Sequence, residues 1–95
     1  MRIVTRRRLL EFARRHPDCE NALDSWYRTV KRADFHSFAS LRQVFPSPDQ
    51  VGKLTVFNIG GNKARLITAI HYNRHLICIR RVLTHAEYDR GTWRE

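Results

Sequence analysis

Phe57–Asp89 reads FNIGGNKARLITAIHYNRHLICIRRVLTHAEYD, and this stretch decides the fold. An apolar run ending at Ile59 meets Gly60-Gly61-Asn62, residue types that favour a tight turn. Ala64–Tyr72 then alternates: Arg65, Ile67, Ala69 and His71 fall on one side of a strand, and Ala64, Leu66, Thr68, Ile70 and Tyr72 on the other. Asn73-Arg74 turns the chain again, and Leu76–Leu83 makes another strand. Two short turns between three strands predict an antiparallel meander with Ala64–Tyr72 in the middle. Thr84-His85-Ala86-Glu87 matches a capping box, in which the Thr hydroxyl and the Glu carboxylate each satisfy the other's backbone donor, so a helical turn follows at once.

Working outward, Gln50–Ile59 is the first strand of the meander and carries Lys53. Pro46-Ser47-Pro48-Asp49 is a loop dividing this strand half from a helical half. Arg2–Val4 is a short edge strand, and Thr5 is expected to cap a helix running to about His16. Pro17 ends that helix and opens the next, with Asp18 as its expected cap. Cys19, Ala22, Leu23, Trp26, Val30 and Ala33 follow at the spacing of one helical face, which assigns Trp26 to the core. Asp24 and Arg28 are placed for an i,i+4 ion pair. Ser37–Phe45 adds a short helical segment with Phe38, Leu41 and Phe45 inward. The expected order is (β)ααβββα. It describes one α+β domain over residues 1–95, with helices packed on one face of a small antiparallel sheet.

Ninety-five residues support one small core, and 42% hydrophobic content belongs to a folded chain. The net charge is +9, and 15 of the 18 basic residues are arginine. The planar guanidinium grips phosphate oxygens in two places and stacks on bases, so the bias points to a polyanionic partner. Cys19 and Cys78 are too few and too far apart for a disulfide framework or a zinc site, and are expected as free thiols. No apolar run of secretory length follows Met1, and nothing approaches the roughly 20 apolar residues of a membrane span, so a cytoplasmic protein is expected.

Chemistry concentrates at the end of the meander. Arg65 shares the open side of the sheet with one of Arg80 and Arg81, and alternation alone slightly favours Arg80, because Arg81 has the parity of Ile77, Ile79 and Leu83. His85 is the first residue past the Thr84 cap and Tyr88 lies three further on, so both point to one side of the helical turn. Free N–H groups at such a turn attract phosphate, a His exchanges a proton near neutral pH, and a Tyr hydroxyl donates one. The nine carboxylates are scattered, no DxD occurs and no HxxxH falls on a helix (His71 and His75 flank a turn), so no metal site is expected. Phosphodiester cleavage would then use the RNA 2′-OH as nucleophile and leave a 2′,3′-cyclic phosphate. A non-catalytic RNA-binding module is the rival class, since double-stranded RNA-binding domains also combine helices with three antiparallel strands.

The segments VFPSPD, VFNIGGNKARLI and VLTHAEYD resemble the HigB toxins of bacterial type II toxin–antitoxin modules, distant relatives of RelE. The resemblance implies a microbial-RNase-type fold and a ribosome-dependent mRNA interferase that needs no cofactor. It also implies a HigA-like helix-turn-helix antitoxin, with operator DNA bound only through that partner. Carried over by position, it makes Arg65 the contact to the scissile phosphate, His85 and Tyr88 the catalytic end, and Lys53 a basic residue before the hairpin. His85 is then either acid or base. Arg80, Arg81 and Lys63 are left to bind RNA or stabilise the transition state.

Overall fold

The computed structural model describes residues 1–45, 47–61 and 63–93, so Pro46 and Asn62 of the two expected turns lie outside the described residues. Strand β1 (Arg2–Val4) is followed by α1 (Arg7–Arg15), a short 3-10 turn at Pro17–Cys19, α2 (Glu20–Arg32) and α3 (Phe38–Val44). Strands β2 (Asp49–Val51), β3 (Leu54–Ile59), β4 (Ala64–His71) and β5 (Leu76–Thr84) come next, and α4 (His85–Asp89) closes the order. The sheet runs β1-β5-β4-β3-β2, with β1 parallel to β5 and every other pairing antiparallel.

The expected α+β meander is present with β4 at its centre. Two elements differ. Gln50–Ile59 is not one strand: Gly52, at φ +60°, turns the chain between β2 and β3, and Lys53 sits in that turn. The sheet is mixed rather than wholly antiparallel, because β1 runs alongside β5, anchored where the Arg2 N–H donates to the His75 carbonyl at 2.9 Å.

The helices form as their sequences dictate, with other caps. Thr5 and Asp18 do not cap by side chain; α1 starts after Arg6, and Asp18 instead pairs with Lys63 at 3.7 Å. The α2 stripe behaves as its spacing requires: Cys19, Leu23, Trp26 and Val30 are buried, with Ala22 and Ala33 packed beside them. Burial pushes the Cys19 thiol up from its ordinary value, and both cysteines are free. On the outer side of α2, Arg28 Nε meets Asp24 Oδ2 at 3.0 Å. In α3, Ser37 makes a capping box with Ser40, and Leu41 is fully buried with Phe38 and Phe45 packed around the same core.

That core lies between the helices and one face of the sheet, where Leu9, Phe12, Trp26, Val30 and Leu41 meet Phe57, Leu66, Ile77 and Ile79. The opposite face was expected to be open, and part of it is not. Leu54, Val56 and Ile67 are buried there beneath Trp93, with Ala69, Leu83 and Tyr88 around them. Among the described residues, no helix is long and apolar enough to cross a membrane.

Leu66 is completely buried in the central strand and packs into the helix-side core. Truncation to Ala removes its contacts and leaves a cavity that neighbours on a paired strand cannot close, so Leu66→Ala is expected to lower unfolding stability by about 2–5 kcal/mol. Urea titration followed by circular dichroism measures the loss; a change under 1 kcal/mol, about the size of an Ile→Val trim, would contradict this packing.

Candidate active site

Register brings the site together. Ala64 pairs with Thr84 and Arg65 with Leu83, so the start of β4 lies beside the end of β5, and α4 begins without a linker at the next residue. The Thr84 hydroxyl accepts from the Glu87 N–H at 3.2 Å, and the Glu87 carboxylate accepts from the Thr84 N–H at 2.9 Å. The capping box is formed as its sequence predicts, and it fixes the direction in which His85 and Tyr88 leave the backbone. Beyond α4, Gly91 at φ +73° turns the chain back so that Trp93 reaches the sheet, where its indole N–H donates to the Tyr88 carbonyl at 2.8 Å.

Arg65 stands at the centre of this group and is only 8% exposed, where alternation placed it in solvent. His85 and Tyr88 of α4 lie against it, a contact that strand parity does not register. A buried guanidinium requires partners. Arg65 Nη1 donates to the Ala64 carbonyl at 3.2 Å, Nη2 lies 3.3 Å from His85 Nδ1, and Cζ lies 5.4 Å from the centre of the Tyr88 ring. Tyr88 in turn stacks on Trp93, with centroids 4.8 Å apart and planes 15° from parallel. Tyr88 is thereby held between a cation and an indole, contacts worth about 0.5–2 kcal/mol each.

His85 has both ring nitrogens engaged: Nδ1 toward Arg65, and Nε2 at 3.5 Å from Asp89 Oδ2 one helical turn on. A guanidinium only donates, so its hydrogen bond to Nδ1 requires a lone pair there and leaves the imidazole proton on Nε2, facing the Asp89 carboxylate. Asp89 joins this cluster through His85 and was missed by the sequence reading, although its i,i+4 spacing from His85 was the available signal. Trp93 and Asn58 were missed too; Asn58 is exposed and sits directly across from Arg65 on β3. No pattern in the sequence pointed to Trp93.

The other sequence candidates are distributed around this cluster. Ile67 pairs with Arg81 and Thr68 with Ile79, so Arg80 is an extra residue, a β-bulge. The bulge resets parity along β5: Arg81 lies on the Ile67 and Arg65 face even though Ile79 points to the helices. Alternation had slightly favoured Arg80; both arginines are exposed, but Arg81 is the one in register with that face. Lys63 is turned toward α2 and pairs with Asp18. Lys53 is not brought into the cluster. From the level of Asn58, opposite Arg65, it is five residues along β3 and its turn, roughly 17 Å at ~3.4 Å per residue.

A small mixed sheet with helices on one face is an α+β fold of the RelE-like toxin kind. The chain belongs to the HigB toxin family, described as the RelE-like toxic component of a toxin–antitoxin system, whose family model matches residues 19–91. It is 34% identical to the mRNA interferase HigB of Escherichia coli O6:H1, over 97% of this chain and 92% of that protein. It is also 34% identical to the mRNA interferase toxin HigB of Escherichia coli K12 and to the mRNA interferase HigB of Shigella flexneri, in each case over 94% of this chain and 88% of the relative. As the toxic component of such a system, the chain has a cognate antitoxin as its partner.

The backbone hydrogen bond from Thr84 holds the Glu87 carboxyl below its ordinary value. A depressed carboxylate pKa contributes stability that is fully present above the unfolded value, about 4.3, and is lost as pH falls through the folded value. The stability difference between the native chain and Glu87→Ala is therefore expected to be constant near neutral pH and to shrink below about pH 4.3. Paired urea titrations from pH 7 to 3 read this out; a difference that grows on acidification would show that the capping carboxylate is not the source.

Proposed function

We propose that this chain is an mRNA interferase that cuts ribosome-bound mRNA without a metal ion, leaving a 2′,3′-cyclic phosphate and a free 5′-hydroxyl. The contact between Arg65 and His85 Nδ1 carries the proposal: a buried cation is held against a proton acceptor at the end of a basic sheet. The naming of its relatives as mRNA interferases supports the substrate class. Such a protein works in the cytoplasm, and its antitoxin is a helix-turn-helix protein of the HigA kind that also binds the operator.

The geometry supports the following roles. When the scissile phosphate enters, the Arg65 guanidinium turns its Nη2 donor from the imidazole to a phosphate oxygen, which frees His85 Nδ1. That nitrogen takes the proton of the 2′-OH as its oxygen attacks phosphorus. Asp89 faces the Nε2–H and supports the imidazolium that forms. Arg65 stabilises the extra negative charge on the phosphorane, an effect of roughly 3–4 kcal/mol for a well-aimed donor. The Tyr88 hydroxyl, on a ring fixed between Arg65 and Trp93, donates a proton to the departing 5′-oxygen. Little side-chain freedom is left to lose when substrate binds, because Arg65 and Tyr88 are already ordered. Arg80, Arg81 and Lys63 bind RNA phosphates beside this centre. Lys53, at the far end of the sheet, acts as a cation toward RNA rather than as the proton acceptor.

Inducible expression with mapping of mRNA ends tests the proposal. His85→Ala is expected to reduce new 2′,3′-cyclic-phosphate ends by roughly 10²–10⁴-fold, the usual range for a positioned acid or base. Asp89→Asn should give an intermediate loss, since the imidazole keeps its place but not its carboxylate. Growth arrest by the native chain with no new mRNA ends would rule out a nuclease.

A further inference from the structure

Away from the Arg65–His85–Tyr88 cluster, a polar depression opens at the β1–β5 edge of the sheet. Val4, Thr5, Arg8, Cys78, Arg80 and Arg81 line it. Its floor continues the face that carries Arg65: Val4 pairs with Cys78, Cys78 with Ala69, and Arg81 with Ile67, and Ala69 and Ile67 belong to the cluster under Trp93. Its wall is the start of α1, which brings Arg8 from the other end of the sequence to the β5 bulge. Ile79 is the remaining lining residue, so among the described residues the charged lining of the depression consists of arginines.

Position along β5 relates this depression to the cluster. Leu83 is opposite Arg65 and Arg81 is opposite Ile67, so the depression begins two residues from the Arg65 level, about 7 Å. That is about one backbone repeat of an extended nucleic acid strand. From there it leads outward to Arg8. Three exposed guanidiniums gathered in one place suit a polyanion that spans them through charge-assisted, two-point hydrogen bonds. Val4, 36% exposed, and half-buried Cys78 offer an apolar floor between the charges, suited to a ribose.

We propose that Arg8, Arg80 and Arg81 form a subsite for an RNA phosphodiester flanking the bond that is cut. The proposal rests on the RNA-cleaving reading of the neighbouring cluster. It extends that reading to a strand path running along β5 from His85 to the start of α1. An acidic protein segment would also meet three arginines, but the one-repeat offset from the reacting centre, on the same face, favours a continuous nucleic acid strand. The phosphodiester comes either from the mRNA itself or from ribosomal RNA.

Short single-stranded RNAs, made uncleavable by a 2′-deoxy substitution at the cut step and extended one phosphate at a time on either side, distinguish these sources by fluorescence anisotropy. MRNA-free ribosomes form the second arm, and the purified antitoxin a third. If mRNA occupies the subsite, one added phosphate should tighten binding of the native chain roughly tenfold, as expected for a charged hydrogen bond. Arg8→Gln should lose part of that gain and Arg8→Glu all of it, while the unextended RNA binds as before. The salt slope should fall by about one in the same variant. If ribosomal RNA occupies it, the losses appear with ribosomes and not with the short RNAs. Arg8 variants that keep native melting curves and bind every RNA and ribosome as the native chain does would overturn the subsite, as would a loss confined to the antitoxin. Cleavage by the native chain and its abolition in His85→Ala are scored separately, so failure of the nuclease reading remains visible whatever Arg8 does.

Discussion

Strand β4 is packed on both of its faces, and the arrangement of everything else follows from that. Leu66 points into the helix layer and Ile67 into the smaller cluster beneath Trp93, both with essentially no exposure. A strand buried on both sides and paired on both edges has little freedom to slip, because moving it by one residue would exchange its two apolar sets. Arg65 lies near its beginning. The strand that is most firmly held therefore carries a cation into a place where a cation must be satisfied, and His85 and Tyr88 supply two of the contacts that satisfy it.

Charge and geometry act together on the sheet face beside Arg65. The net charge of +9 raises the local concentration of any polyanion, but it does not say where one binds. The location proposed above depends on the bulge at Arg80. By adding a residue to β5 it brings Arg81 onto the face of Arg65 and leaves Arg80 exposed beside it, next to the start of α1. Without the bulge, strict alternation through Arg80 would have sent Arg81 toward the helix core with Ile79.

How much of this was legible in the sequence depended on whether the signal was local. The α2 stripe, the central strand Ala64–Tyr72 and the Thr84 capping box were all readable, since each rests on a period or spacing within a few residues. Gly52 between β2 and β3 was readable in principle, but the apolar residues on either side masked the turn. Caps at Thr5 and Asp18 were expected from residue type and do not occur, because tertiary contacts set where α1 and α2 begin. The bulge was invisible to alternation, which assumes that no residue is skipped. The burial of Arg65 was invisible for a different reason: His85 and Tyr88 are brought against it from α4, a contact that strand parity does not register. Thus His85, Tyr88 and Arg65 were named as candidates, while Asp89, which faces the same imidazole, was passed over.

Helix α4 is five residues long, well below the length at which a helix persists in water unaided. It is held at its start by the Thr84–Glu87 box and near its end by the Trp93 indole on the Tyr88 carbonyl. A segment pinned at two points, with an exposed outer side, belongs to the part of a protein that opens first, through a local excursion that leaves the sheet intact. Such an excursion would carry away His85, Tyr88 and Asp89 together while Arg65 stayed on β4. The molecule would thus lose the proposed acid–base groups and keep its cationic face, so that on this proposal grip on a polyanion and the capacity to cut one are separable properties of a single fold.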